Sequence, residues 1–173
     1  YKKLGYDWDG KMLVLGQILS RDWLTNQLRV IGGAYGGFSV IQRDGSIYFA
    51  SYRDPNLEET LDNYQGMVNY LESFEADEET MTRYIIGTIA RMDRPLTPSE
   101  KGDVAVRWYF ENLTPEDKQN ERNAVLSTTA KDIRDMSAFI KDVLSQSPYC
   151  VYGNEDKLKA SEQLFDVLKT TTQ

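Results

Sequence analysis

The sequence predicts an α+β protein in which helices pack mainly on one face of a small antiparallel or mixed sheet. Apolar residues recur at helical spacing over most of the chain. One stretch near residue 40 instead has aromatic and β-branched residues on both sides of an Asp-Gly pair. The predicted order is helix, hairpin, several helices, strand, helix, strand, with no repeat and no linker. We therefore expect a single domain over residues 1–173.

The first helix is predicted over Lys11 to Leu28, because apolar residues from Met12 onward follow each other at intervals of three and four. Gly32 and Gly33 are expected to end it, since glycine tolerates the backbone conformations found after helix ends.

A hairpin is predicted next, with strands Ala34 to Gln42 and Ser46 to Arg53 around Asp44-Gly45. Apolar side chains fall on both faces of these strands. This pattern predicts a hairpin that is covered on both sides within a larger sheet.

The remaining elements follow from capping signals and periodicity. Asp54 is predicted to cap a helix that begins at Pro55, and Asp77 to precede another. Further helices are predicted over Pro98 to Leu113, Pro115 to Leu126, around Ile133 to Val143, and Glu155 to Leu164. Tyr149 to Tyr152 and Phe165 to Lys169 are predicted as short strands.

Composition excludes several functions. There are 20 basic and 27 acidic residues, a net charge of −7, so no basic footprint for nucleic acid exists. No apolar run is long enough for a membrane-spanning helix. The absence of histidine excludes Ser-His-Asp and Cys-His catalysis by this chain alone. With one cysteine, Cys150, the chain also lacks the ligands of a zinc site, and no metal ligand is assigned in it.

The segment from Arg29 to Gly37 contains four glycines. Its order is helix, glycines, strand, which is the reverse of a phosphate-binding loop, so nucleotide binding is disfavoured. Arg29 and Tyr35 could instead donate hydrogen bonds to one carbonyl oxygen, as in oxyanion stabilisation. Spacing alone favours structural roles, because an arginine in a last helical turn satisfies free carbonyl groups and a strand tyrosine packs in the core.

A family resemblance changes that balance. It is carried by Leu28 to Phe38 (LRVIGGAYGGF), Arg43-Asp44-Gly45, Phe49 to Pro55 (FASYRDP) and Ile85 to Ile89 with Asp93, Pro95 and Lys101-Gly102. These segments resemble the last domain of presequence proteases, which belong to the insulinase (pitrilysin) family of zinc metallopeptidases. The resemblance extends over roughly Gly5 to Phe165 and is most specific between Arg29 and Pro55.

The resemblance implies a larger peptidase with two halves, each of two similar α+β domains, that close around a chamber. The zinc cofactor is held by an H-x-x-E-H motif in the first domain. Because this chain has no histidine, it is expected to be a C-terminal fragment from the other half. Its start at Tyr1, without a methionine or a signal segment, agrees with a domain that lacks its first strands.

The resemblance also implies site residues. Arg29 and Tyr35 match the arginine and tyrosine that bind the scissile carbonyl and its tetrahedral oxyanion, and are assigned as catalytic. We assign substrate binding to Gly32, Gly33, Ala34 and Gly36. With Gly37, the glycines are expected to permit a sharp turn and close approach of a peptide, and at least one should have positive φ.

The implied partners are the N-terminal domains of the same polypeptide and a peptide substrate, with no nucleic acid and no membrane. A cytoplasmic protein is expected, with the mitochondrial matrix or a plastid as the alternative. The alternative function is a non-catalytic homologue that acts as a peptide-binding or structural subunit, because relatives of this fold exist that have lost zinc. A free-standing binding module is disfavoured by the missing strands.

Overall fold

The computed structural model describes residues 1–146 and 148–170. It contains eight α-helices, a π-helix and a hairpin, which confirms the α+β prediction. The α-helices are α1 (Lys11–Ile18), α2 (Glu58–Glu72), α3 (Glu78–Met92), α4 (Pro98–Phe110), α5 (Pro115–Leu126), α6 (Ala130–Asp135), α7 (Ser137–Gln146) and α8 (Glu155–Ala160). The π-helix is Leu19–Ile31, the strands are β1 (Gly36–Ile41) and β2 (Ile47–Tyr52), and short 3-10 helices are Lys2–Leu4 and Glu162–Leu164.

The first helix starts at Lys11 as predicted, but it continues to Ile31 and changes its hydrogen bonding on the way. From Leu19 onward the helix is a π-helix, in which each turn is wider and bonds join residues five apart. Its buried residues are Leu19, Leu24 and Leu28. Their separations of five and four match the wider turn, so one apolar side still faces the core.

The hairpin is confirmed. Strand β1 pairs antiparallel with β2, with Gly36 opposite Tyr52 and Ile41 opposite Ile47. In the connection, Gly45 has a φ of +104°, and the Ser46 amide donates to the Asp44 carboxylate over 2.7 Å. The Asp-Gly signal therefore located the turn correctly.

The two faces of the hairpin differ. One face packs on the π-helix, with Ser39 and Ile41 buried beneath it. The other face presents Phe38, Tyr48 and Tyr52, which are 41%, 48% and 52% exposed. Within the described residues the sheet has two strands and one open face, so the prediction of cover on both sides is wrong there.

The two late strands were also wrongly predicted. Tyr149 to Tyr152 and Phe165 to Lys169 lie in irregular structure and pair with no strand of the described chain. Their aromatic residues pack through side chains instead, with the rings of Tyr149 and Phe165 edge to face at 6.0 Å. The Tyr149 hydroxyl also donates to the Leu164 carbonyl. These segments have no neighbouring strand to pair with, so local side-chain contacts hold them instead of a β-ladder.

Most helix starts agree with their capping signals. Thr97 and Thr114 form capping boxes at α4 and α5, and Asp77 accepts the Thr80 amide at the start of α3. The predicted start at Asp54 is wrong, because α2 begins only at Glu58.

Three other predicted helices also differ from the structure. Helix α4 ends at Phe110 rather than Leu113, and the predicted helix around Ile133 to Val143 is divided at Met136 into α6 and α7. Helix α8 ends at Ala160, and the chain continues to Leu164 as a 3-10 turn.

The core lies between α1, the π-helix, α2, α6 and α7. Its largest fully buried apolar side chains are Leu15, Ile18, Leu19, Leu24, Leu28, Met67, Leu71, Ile133 and Ile140. Leu24 and Leu28 belong to the π-helix, so core packing holds the C-terminal half of the helix, which carries Arg29.

A buried carboxylate joins distant parts of the chain. Glu121 of α5 is only 7% exposed and accepts hydrogen bonds from the Trp8 indole over 2.9 Å and the Arg43 guanidinium over 2.7 Å. Lys118 in the same helix also donates to it. Glu121 therefore connects the N-terminal segment and the hairpin connection to α5.

Candidate functional site

A sharp glycine turn links the π-helix to β1. The amide of Gly33 donates to the Arg29 carbonyl over 3.1 Å, and the amide of Ala34 donates to the Leu28 carbonyl over 2.8 Å. Gly33 has a φ of +79°, which confirms the prediction of a positive φ among these glycines. These bonds close the helix end and fix the direction in which the chain leaves it.

Close packing explains two further glycines. A Cβ at Gly32 would lie 2.8 Å from the Leu28 carbonyl oxygen, and one at Gly37 would lie 2.8 Å from Leu28 Cδ1. The side-chain amide of Asn56 donates to the Gly32 carbonyl over 2.6 Å, which ties the turn to the start of the next segment. At Gly36 a Cβ would meet nothing nearer than 4.0 Å. Gly36 and Gly33, where the nearest atom would lie at 3.8 Å, are thus the two of these glycines at which an added Cβ would meet no close contact.

Ala34 is placed differently from its neighbours. Its side chain is buried, with 3% exposure, and contributes to the core. Only its backbone could meet a bound peptide.

Arg29 lies in the last turn of the π-helix, and its side chain is exposed. Its neighbours Val30 and Ile31 are 70% and 69% exposed. Within residues 1–146 and 148–170, the Arg29 guanidinium has no hydrogen bond and no ion pair.

Tyr35 lies just before β1 and is held mainly by its backbone. Its amide donates to the Tyr52 carbonyl over 3.0 Å, so the residue extends the hairpin ladder by one bond. Its ring is 65% exposed and stands edge to face on Tyr52, with 5.9 Å between centroids. The hydroxyl makes no hydrogen bond to any described residue. It remains available as a donor.

Arg53 lies against the rings of Tyr35 and Tyr52, a contact that the sequence analysis did not predict. Its guanidinium carbon lies 5.9 Å from the centre of the Tyr35 ring and 5.4 Å from that of Tyr52. Its φ is +48°, an unusual value for a residue with a side chain. The only sequence signal was its place between a strand tyrosine and Asp54-Pro55, which marks a turn but not a contact.

No hydrogen bond or cation–π contact joins Arg29 and Tyr35 within the described chain. A cleft of about 240 Å³ lies beside the glycine turn. Its lining residues are Gln27, Leu28, Ile31, Gly32, Asn56, Glu59, Thr60 and Asn63. Neither predicted donor lines it. The arrangement offers two separate exposed donors to a group outside the chain.

No cluster of three or more potential metal ligands occurs in the described parts of the chain. The same residues contain no helix long and apolar enough to cross a membrane.

Comparison with known proteins gives the context of this turn. Residues 1–151 match the family model described as the PreP C-terminal domain. The chain is 45% identical over 170 residues to Protein HypA of Clostridium perfringens, covering 98% of this chain and 18% of that protein. It is 39% identical over 158 residues to Presequence protease 1, chloroplastic/mitochondrial, of Arabidopsis thaliana, covering 91% and 15%. It is 29% identical over 124 residues to the mitochondrial presequence protease of Xenopus laevis, covering 72% and 12%.

These matches define a peptidase-related domain. The chain belongs to the PreP C-terminal domain family, which confirms the resemblance read from its motifs. It spans less than a fifth of the length of each of these relatives.

Proposed function

We propose that this chain is the C-terminal, substrate-binding part of a zinc-dependent metallopeptidase that degrades peptides. One observation carries the proposal: Arg29 and Tyr35 flank the glycine turn with exposed side chains, and neither polar group has a hydrogen-bond partner among the described residues. Both polar groups are therefore free to donate hydrogen bonds to a group outside the described residues.

In this function Arg29 and Tyr35 donate hydrogen bonds to the scissile carbonyl of a peptide. Neither group has to change its protonation state to do so. Their bonds strengthen as negative charge develops on the carbonyl oxygen, so they favour the transition state over the bound substrate. One such donor is typically worth about 3 kcal/mol.

The zinc ion does not fit this chain, which has no histidine and one cysteine. It would be held by N-terminal domains of the same polypeptide, and these domains and the peptide are the proposed partners. We propose neither a nucleic acid nor a membrane as a partner. We place the protein in the cytoplasm, with the mitochondrial matrix or a plastid as the alternative that the Arabidopsis and Xenopus names support.

The test is peptide cleavage by the full-length protein carrying Tyr35→Phe or Arg29→Ala. Each variant should lower kcat by roughly ten- to a thousandfold, with a much smaller change in KM, because the lost bond is strongest in the transition state. Tyr35→Phe keeps the ring and should leave the unfolding temperature nearly unchanged.

Matched controls are available on α4, where Tyr109 is 79% exposed and Arg107 lies in the last turn. Tyr109→Phe and Arg107→Ala remove the same chemical groups from an exposed helix and should leave kcat unchanged. If Tyr35→Phe and Arg29→Ala also retain normal kcat/KM, the donor role is refuted and the non-catalytic alternative is favoured.

A further inference from the structure

We infer that Arg53 is a positioning residue that fixes the orientation of the Tyr35 hydroxyl. The inference rests on the proposed function, because it assigns a role within the same site. Arg53 is exposed at the end of β2, one residue after Tyr52.

The Tyr35 ring has few restraints of its own. Its backbone is fixed by the bond to the Tyr52 carbonyl, but the ring is 65% exposed. The described contacts of the ring are the edge of Tyr52 and the guanidinium of Arg53. An exposed side chain changes rotamer rapidly unless such contacts hold it. Removal of Arg53 would leave Tyr52 as the remaining restraint.

The guanidinium bridges the two tyrosines. It lies 5.4 Å from the Tyr52 ring centre and 5.9 Å from the Tyr35 ring centre, within the range of cation–π attraction. The rings themselves stand at 88° to each other. One planar cation therefore stabilises the relative placement of both rings, which a residue without a charge could not do.

The backbone at Arg53 shows that the position is strained. A φ of +48° places a residue with a Cβ in the left-handed region that glycine occupies freely. Strain of this kind persists where the surrounding structure imposes it, and it is concentrated at functional sites. Glycine would satisfy the turn without strain, so the turn alone does not require an arginine.

No carboxylate competes for Arg53 within the described residues. The adjacent carboxylate of Asp54 accepts the Asn56 amide over 3.0 Å and the Thr60 hydroxyl over 2.7 Å. The chain has a net charge of −7, so carboxylates are plentiful. The Arg53 guanidinium nevertheless contacts the rings of Tyr35 and Tyr52, which favours a role in holding these rings.

The experiment compares Arg53→Gln, Arg53→Lys and Arg53→Gly in the full-length protein with a peptide substrate. Arg53→Gln should lower kcat about tenfold and change KM less than about twofold, because a misplaced donor affects the transition state most. Arg53→Lys keeps the cation and should recover most of this loss. Arg53→Gly should lose as much kcat as Arg53→Gln while its unfolding temperature is equal to or above that of the wild type.

A double-mutant cycle with Tyr35→Phe identifies the group through which Arg53 acts. In the Tyr35→Phe protein, Arg53→Gln should change kcat less than about twofold, since the hydroxyl that it positions is gone. An equal loss of kcat in both backgrounds, a normal kcat in Arg53→Gln, or a loss confined to KM would each overturn the inference. Normal kcat in Tyr35→Phe itself would refute the proposed donor function, which is a separate result.

Discussion

Gly33 shows how one backbone angle directs the chain from the core toward the site. Its φ of +79° lets the amides of Gly33 and Ala34 turn back onto carbonyls of the π-helix. The turn buries Ala34 and leaves Tyr35 exposed in the next position. The placement of the proposed donor therefore depends on a conformation that glycine adopts without strain.

Gly33→Ala should lower the free energy of unfolding by about 1–2 kcal/mol, because a Cβ is disfavoured at this φ. Space is not the cause, since the nearest atom to that Cβ would be Pro55 Cγ at 3.8 Å. Denaturant unfolding measures the change.

Gly36→Ala is the matched control for Gly33→Ala. Gly36 has no positive φ, and its added Cβ would meet nothing closer than 4.0 Å. This variant should be neutral or slightly more stable, since alanine restricts the unfolded chain. Equal destabilisation by both substitutions would contradict the argument from φ.

Sequence reasoning succeeded at residues whose role is written in their local chemistry. Asp44-Gly45 located the turn, and Thr97 located a helix start. It failed at Asp54, which was predicted to cap a helix beginning at Pro55. Its carboxylate instead accepts the Thr60 hydroxyl, six positions away and within α2. It also missed Arg53, because its contact with Tyr35 exists only after the hairpin has formed.

The π-helix illustrates the same limit for a whole element. Spacings of three and four predicted a helix from Lys11, and the glycines correctly marked its end region. The pattern could not distinguish α from π bonding, because Leu24 and Leu28 face the core in either geometry. The close approach of β1, where Gly37 meets Leu28, is a tertiary contact that periodicity does not encode.

The late strands failed for a related reason. Short apolar runs such as Tyr149 to Tyr152 become strands only beside another strand edge. The described sheet consists of β1 and β2, and these residues pair with neither strand. The candidate donors were nevertheless predictable, because Arg29 and Tyr35 lie within the motif that carries the family resemblance.

Helix α4 is supported little by the rest of the described structure. None of its residues is buried, and Val106, Tyr109 and Phe110 are 56%, 79% and 77% exposed. Its stability depends mainly on the Thr97–Glu100 capping box and on its own hydrogen bonds.

We therefore predict that the backbone amides of α4 exchange with deuterium much faster than those of α2, which buries Met67 and Leu71. Hydrogen exchange followed by mass spectrometry of the full-length protein measures both helices at once, with α2 as the internal control. Protection of α4 equal to that of α2 would show that another part of the polypeptide covers its apolar residues.

At the scale of the whole molecule, the Glu121 carboxylate joins three parts of the chain through hydrogen bonds from Trp8, Arg43 and Lys118. Burial alone would raise the pKa of this carboxyl group, but hydrogen bonds from Lys118, Arg43 and Trp8 outweigh burial and hold the pKa below its ordinary value. A carboxylate with a lowered folded-state pKa stabilises the fold above its unfolded-state pKa, which is about 4.3. That contribution disappears as the pH falls toward the folded-state value.

Glu121→Gln should lower the free energy of unfolding by about 3 kcal/mol near neutral pH, because it leaves the Arg43 and Lys118 charges without their shared partner. The difference from the wild type should shrink as the pH falls below about 4.3, because the carboxyl group is protonated first in the unfolded chain and then, at lower pH, in the folded chain. Urea unfolding at a series of pH values measures both effects. Asp93→Asn is the control, because the Asp93–Arg122 pair is exposed and its loss should change the free energy of unfolding much less than Glu121→Gln does. This role of Glu121 is refuted if Glu121→Gln lowers the free energy of unfolding only slightly at neutral pH, or if the loss stays constant as the pH falls. Either result would show that packing, rather than this carboxylate, holds the three segments together.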